Sequence, residues 1–210
     1  MALGLYTKKR DFKNTSEPRG HTAKSTAKLL FVIHRHKASH LHYDFRLELE
    51  GVLKSWAVPK GPSLNPADKR LAMMVEDHPY DYKDFEGEIP EGNYGAGLVE
   101  IWDKGYYTPL EPTTRSKAET TLKHGLKSGS LKFILHGKKL KGEFALVKLK
   151  GKSDNSWLLI KHNDSFAVHT PFNSEDLTTK ASPINRWLAK HPAAAKKKGQ
   201  SVSTRSLVKS

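Results

Sequence analysis

Apolar residues along this chain alternate with polar ones more often than they recur at helical spacing, and the alternating segments are short. Residues 30–36, 40–50, 52–58, 70–76, 98–103, 130–135, 143–150 and 157–162 read as strands, with Gly51 turning the second into the third. Turn-forming residues separate them: Gly61-Pro62, Pro90-Glu91-Gly92-Asn93, Gly95-Ala96-Gly97, His136-Gly137 and Gly151. One helix has a start signal, the capping box Ser116-Lys117-Ala118-Glu119 ahead of 120–124, with Gly125 placed as its C-terminal cap. A second, short helix is predicted over 183–190, with Pro183 at its first position and Pro192 beyond its end. Short, evenly spaced strands with few helices predict a mainly β protein, a closed or partly closed β-barrel over 30–170.

Charge divides the chain in the same way. The 210 residues carry a formal net charge of +14. Residues 1–29 hold seven bases against Asp11 and Glu17, and 177–210 hold eight bases and no acid, so the two flanks account for +5 and +8. The 30–176 centre is +1. Both flanks are poor in large apolar residues, which predicts flexible basic segments: an N-terminal arm over 1–29 and a largely disordered tail over 171–210. The chain has no cysteine, which excludes disulfide scaffolds, thiolate metal sites and Cys nucleophiles. No apolar run reaches the roughly 20 residues of a membrane span, and the first ten residues do not read as a signal peptide. A monomer in the cytoplasm, associated with the nucleoid, is the expectation, because an excess of positive charge points to a polyanionic partner.

One strand carries unusual chemistry. From His40 the sequence reads His-Leu-His-Tyr-Asp-Phe-Arg-Leu-Glu-Leu-Glu. With a period of two, Leu41, Tyr43, Phe45, Leu47 and Leu49 share one face, and His42, Asp44, Arg46 and Glu48 the other, at steps of about 6.6 Å. Four histidines fall between His34 and His42. A solvated strand face is the ordinary fate of such alternation, but imidazoles beside a carboxylate also suit Mn, Fe, Ni or Zn. His36, His42 and Asp44 form a candidate two-His, one-carboxylate ligand set. Arg46, one step on, offers a planar fork for phosphate, and His78 in Glu76-Asp77-His78-Pro79 is a candidate second phosphate contact.

Together these residues resemble the 3′-phosphoesterase domain of bacterial DNA ligase D. The resemblance rests on His36-x5-His42-x-Asp44-x-Arg46, Trp56-Ala57-Val58-Pro59-Lys60-Gly61-Pro62, Glu76-Asp77-His78-Pro79 and Glu86-Gly87-x-Ile89-Pro90-x-Gly92-Asn93-Tyr94-Gly95. It continues upstream in Lys9-Arg10-Asp11-Phe12 with Glu17-Pro18, and downstream in Lys139-Leu140-x-Gly142 and Trp157-Leu158-Leu159-Ile160-Lys161. The ordered set covers about residues 5–165.

The resemblance implies a manganese-dependent enzyme, with Co2+ or Zn2+ as other candidate metals, acting on DNA or RNA–DNA 3′ ends in nonhomologous end joining. Such enzymes remove a terminal 3′-ribonucleoside and convert the resulting 3′-phosphate to a 3′-hydroxyl. By motif position His36, His42 and Asp44 hold the metal. Arg46 and His78 contact the scissile phosphate, with His78 a candidate general acid. Tyr82, Arg10, Asp11 and Glu17 match residues needed for activity, so 10–17 should order over the active site. Lys60 and Arg70 are candidate substrate contacts. His34 stands where an amide such as Gln is expected. The sequence holds no Lys-x-Asp-Gly motif, and the basic tail fits a stand-alone enzyme that works with a separate ATP-dependent ligase and a Ku-type end-binding protein. Two other functions fit parts of the pattern: a non-haem Fe(II) oxygenase and a non-catalytic DNA-binding scaffold.

Overall fold

The computed structural model describes residues 3–20, 28–151 and 153–192. All eight expected strands form, and they close a barrel. In chain order they are β1 (Leu29–Lys37), β2 (Leu41–Leu49), β3 (Val52–Val58), β4 (Lys69–Met74), β7 (Gly97–Thr108), β8 (Ser130–His136), β9 (Lys141–Lys148) and β10 (Ser156–Lys161). The two numbers left open belong to short strands, β5 (His78–Pro79) and β6 (Gly87–Ile89), which the alternation did not reveal. The sheet runs β1-β2-β3-β4-β10-β9-β8-β7, and β7 returns to pair with β1. Every pairing is antiparallel.

The β2–β3 hairpin turns through Glu50 and Gly51, both at positive φ (54° and 75°), the two-residue geometry whose twist matches antiparallel strands. Alternation then sorts the side chains into two clusters. Phe31, Ile33, Phe45, Leu47, Trp56, Phe133, Phe144 and Leu159 fill the barrel interior. Val32, Leu53 and Val99 lie on the opposite, outer face, where Tyr82, Phe85 and Ile89 cover them. The cover is the stretch from β5 through a 3-10 turn (Tyr80–Asp84) to β6. So the polar face of β2 is not solvated. It is the floor of a second, smaller core.

Each end of the barrel has a stopper. At the Leu49 end sits helix α2 (Arg115–Ser128), whose Ala118 and Leu122 join the interior cluster. Arg115 anchors it to Glu48 of β2 at 2.6 Å. The helix starts earlier than its sequence signal indicates. Thr114 is the N-cap residue and makes no side-chain capping bond, Ser116 lies inside the helix, and Gly129, at φ 79°, closes it. Gly125 falls within the last turns, where an added Cβ would stand 2.8 Å from the Ser130 carbonyl oxygen, so its role is close packing rather than termination.

The other stopper corrects the expected boundary at 171. A 3-10 turn (Ser174–Leu177) places Glu175 against Arg35 of β1, whose side chain is wholly buried. Arg35 also pairs with Glu100 of β7 at 2.9 Å, and Tyr43 donates to Glu175 at 2.6 Å. A buried guanidinium needs carboxylates, and a polar segment too poor in apolar residues to read as structure supplies one. The first compact unit accordingly runs to Thr178.

In the N-terminal arm, order is not confined to the expected 10–17 stretch. Helix α1 (Gly4–Lys8) inserts a fully buried Tyr6 into the outer cluster, and its hydroxyl donates to the Pro18 carbonyl at 2.7 Å. The flexibility expected of 1–2, 21–27 and 193–210 concerns residues outside those described. Helix α3 (Pro183–Lys190) forms in the second compact unit as its sequence predicts, with Ser182 accepting from the Asn185 amide. Among the described residues no helix is long and apolar enough to cross a membrane.

Candidate active site

The outer face of β1, β2 and β3 is a grid set by register. His34 lies opposite Asp44, His36 opposite His42, and Val32 opposite Arg46. On the far side Asp44 faces Ala57 and Arg46 faces Ser55. Two strands thereby bring together residues that lie six to fourteen positions apart in sequence.

His36, His42 and Asp44 converge, with one potential ligand atom from each lying within 4.8 Å of the others. The His36 and His42 rings are 4.7 Å apart between centres. His36 Nε2 donates to the Gly95 carbonyl at 2.9 Å, which leaves Nδ1 bare and 3.6 Å from Asp44 Oδ2. His42 uses the opposite tautomer. Its Nδ1 donates to the His40 carbonyl at 3.0 Å, and the bare Nε2 lies 3.5 Å from Asp44 Oδ1. Backbone acceptors behind both rings thus fix two lone pairs and a carboxylate on one point, the arrangement of an orienting shell around metal ligands. The donor set fits a divalent transition ion. Burial opposes charge on His42, yet Asp44 raises its pKa overall. Burial likewise opposes the Asp44 carboxylate, but Arg46 and the two imidazoles hold its pKa well below the ordinary value.

Arg46 is buried and held at every nitrogen. Nη2 donates to Asp44 at 3.0 Å, Nη1 to Ser55 Oγ at 2.8 Å, and Nε to His34 Nδ1 at 3.2 Å. Its guanidinium lies 4.8 Å from the centre of the Tyr82 ring. His34 can accept from Arg46 only as a neutral ring, and burial with the Arg46 charge lowers its pKa to about 3. His34 and Ser55 therefore act as a jig for the guanidinium, roles the sequence did not single out.

His78 and the arm close the opposite wall. His78 Nδ1 donates to the Glu76 carbonyl at 2.9 Å, and Nε2 accepts from Arg10 Nη2 at 3.2 Å. Burial, then Arg46 and Arg10, push its pKa well below the ordinary value, so the unliganded site presents a neutral imidazole rather than a charged acid. Arg10 also bonds Glu17 at 2.9 Å and Glu76 at 3.2 Å, and lies over the Tyr6 ring. Tyr82 donates to Glu17 at 3.0 Å. A cavity of about 270 Å3 is lined by Arg10, His36, His42, Asp44, Arg46 and His78, with Tyr82, Glu76 and Tyr94 at its walls.

Glu17 stands behind the cavity wall, bonded to Arg10 and Tyr82, and three of the expected residues stand apart altogether. Asp11 is exposed and caps a local turn through the Lys13 amide and Asn14. Lys60 lies exposed in the turn after β3. Arg70, on β4, bonds Asp68 and the Phe172 carbonyl. Conversely, Glu76 and Tyr94 lie inside quoted motifs without having been assigned a role. Lys9 donates to Glu76 at 3.0 Å and sits over the Tyr94 ring at 4.5 Å, tying the arm to the site.

Burial opposes the Glu76 charge, but bonds from Lys9 and Arg10 keep its pKa below the ordinary 4.5. Those bonds stabilise arm docking fully above the unfolded value and are lost as pH falls through the depressed folded one. Protection of amides in 3–20 against hydrogen exchange should therefore be lost as the pH falls below the ordinary carboxylate range, ahead of the barrel strands. Equal loss of protection in both regions would contradict this role for Glu76.

Arg10, Arg46 and Lys9 stand against Asp44, Glu17 and Glu76, three cations to three carboxylates. The fixed charges of this cluster are therefore close to balanced. A divalent cation at the trio would make it a trap for a phosphate dianion.

Residues 34–148 match the family model described as the DNA ligase D 3′-phosphoesterase domain. The chain is 52% identical over 169 residues to the multifunctional non-homologous end joining protein LigD of Pseudomonas aeruginosa, covering 79% of this chain and 19% of that protein. It is 42% identical over 164 residues to the LigD protein of Mycolicibacterium smegmatis, covering 77% and 21%, and 41% identical over 158 residues to that of Mycobacterium tuberculosis, covering 74% and 19%. It spans about a fifth of the length of these curated relatives. By the family match and these identities, the chain belongs to the DNA ligase D 3′-phosphoesterase domain family.

Proposed function

We propose that the chain is a manganese-dependent phosphoesterase that heals 3′ ends of DNA in nonhomologous end joining. It removes a terminal 3′-ribonucleoside by hydrolysing a phosphodiester and then converts the 3′-phosphate to a 3′-hydroxyl. The observation that carries this reading is the convergence of two bare imidazole nitrogens and a carboxylate beside a guanidinium locked by three hydrogen bonds. The names of the relatives, which place them in end joining, supply the substrate class.

His36, His42 and Asp44 would hold the ion. When bound, it supplies positive charge to polarise a phosphoryl oxygen and to lower the pKa of water. Arg46 offers its outward edge to a second phosphoryl oxygen without moving, because His34, Ser55 and Asp44 have already fixed its rotamer. Arg10 and His78 form the opposite clamp. An arriving phosphate takes the place of the Arg10 bond at His78 Nε2, and its negative charge offsets the two guanidinium fields that keep the ring neutral. His78 thereby gains proton affinity where the leaving oxygen needs a proton. A DNA ligase activity and a Ku-type end binder would act on the healed end.

A primer bearing one terminal ribonucleotide tests this order of events. With manganese, the product should be a 3′-phosphate end first and a 3′-hydroxyl end later, resolved by mass spectrometry. In His78→Gln both steps should slow by roughly 100-fold with manganese affinity unchanged. A His78→Gln protein with an unchanged rate would leave His78 a packing residue between Tyr6 and Tyr82.

A further inference from the structure

The outer face that carries the candidate site continues along β1 to a second constellation that nothing above uses. Tyr106 of β7 and His136 of β8 lie directly opposite in register, and their rings stack with centres 4.3 Å apart and planes 11° off parallel. Gly105 permits the close approach, since a Cβ there would collide with the His136 carbonyl oxygen. Lys28 Nζ lies 4.2 Å from the Tyr106 ring centre. Tyr106 is 36% exposed, among the few large hydrophobic side chains that open to solvent.

The pair borders a cavity of about 540 Å3, larger than the candidate active site. Leu110, Pro112 and Ile134 give it apolar walls, Lys28 is its cation beside the ring pair, Arg115 at its border is paired with Glu48 and Glu119, and among the described residues no carboxylate lines it. Burial and Lys28 lower the pKa of His136, so its ring is neutral at pH 7. An aromatic platform with a cation at its edge and no acid has the chemistry that takes a nucleobase with its phosphate. In a duplex the base faces are already stacked on one another, so an unpaired base is the ligand that fits.

We propose that Tyr106 and His136 form a stacking site for an unpaired base of a nucleic-acid strand, with Lys28 on the flanking phosphate. Leu30 pairs with Tyr106 and His36 with Val99 along the same strand, so platform and ligand trio are six positions apart, roughly 20 Å. That is about six nucleotides of stacked strand at roughly 3.4 Å each. The inference rests on the reading that a DNA end is the substrate. The platform then holds a single-stranded extension while the end occupies the site.

Fluorescence anisotropy with an oligothymidylate strand of about twelve nucleotides, against a blunt duplex of equal length, tests it with the full chain and no metal. Tyr106→Ala and His136→Ala should each weaken single-strand binding roughly tenfold. Tyr106→Phe should stay within about twofold of wild type, and the salt slope should not change, because no charge is lost. Duplex binding should also be unchanged. Wild-type affinity in both alanine variants, or equal losses on duplex and single strand, overturns the proposal. Because Tyr106→Ala can loosen β7, an iodouracil strand is also photocross-linked to the wild-type protein. A cross-link on the Tyr106 or His136 peptide supports the site, and its absence from both overturns it. Phosphate release from a 3′-phosphorylated dinucleotide, too short to reach the platform, should be the same in Tyr106→Ala and wild type. If wild type releases none, it is the catalytic reading that fails, whatever the binding assay shows.

Discussion

Asp44→Asn is expected to abolish manganese binding and to lower phosphate release from a 3′-phosphate end by at least about a thousandfold, the rate equivalent of roughly 4 kcal/mol. The substitution keeps shape and volume, so the effect isolates charge. Asp44 is the only anion of the ligand trio, and it faces the bare nitrogens of His36 and His42 at 3.6 and 3.5 Å. An amide places its NH2 either at the Oδ1 position, facing His42 Nε2 where a cation belongs, or at the Oδ2 position, facing His36 Nδ1 and losing the Arg46 bond. Arg46 is 2% exposed, and Asp44 is its one ion-pair partner among the described residues. Losing one partner of a buried pair typically costs about 3–5 kcal/mol, so the melting temperature should fall as well. Electron paramagnetic resonance of free manganese, beside calorimetric melting, separates the two effects. Wild-type manganese affinity in a folded Asp44→Asn protein would remove Asp44 from the ligand set.

Glu175→Ala is expected to lower stability by about 3 kcal/mol, the lower end of that range because the Glu175 side chain is 25% open to solvent. For a protein of this size that corresponds to a fall in melting temperature of roughly 6–12 °C. Arg35 keeps Glu100, but both bonds from its Nε and Nη2 lose their acceptor, and so does the Tyr43 hydroxyl. A chain ending at residue 170 should reproduce or exceed the Glu175→Ala loss. Differential scanning calorimetry measures both, and unchanged melting of the chain ending at 170 would show that the stopper does not hold the barrel.

The two experiments mark where sequence was and was not informative. Period-two alternation in β2 was legible because a one-residue slip would put Phe45 and Leu47 outside and Asp44 inside, so both faces had to be written into the residues. It fixed which side chains share a face but not what lies above it. The cover is built from a two-residue strand, a 3-10 turn and a three-residue strand, elements too short to carry a period. The Ser116 capping box misplaced the helix start because Thr114, with no capping bond, precedes it. Arg35 and Glu175 meet across 140 residues, and neither has a local signature. Asp11 and Arg10 are neighbours in one motif, yet Arg10 is drawn inward by Glu17, Glu76 and His78 while Asp11 spends its carboxylate on its own turn. Only the buried partners tell them apart.

The central claim is that the balanced cluster around Asp44 becomes a phosphate-processing site when a divalent ion joins it. Titrating manganese into wild-type protein with a 3′-phosphate-terminated primer, and following inorganic phosphate and the new 3′-hydroxyl together, tests it most directly. The account predicts no turnover in chelator, and saturable release of one phosphate per 3′-hydroxyl formed, tracking occupancy of a single manganese site. Phosphate release that persists unchanged in chelator, or a manganese site that fills while the 3′-phosphate stays intact, would contradict it.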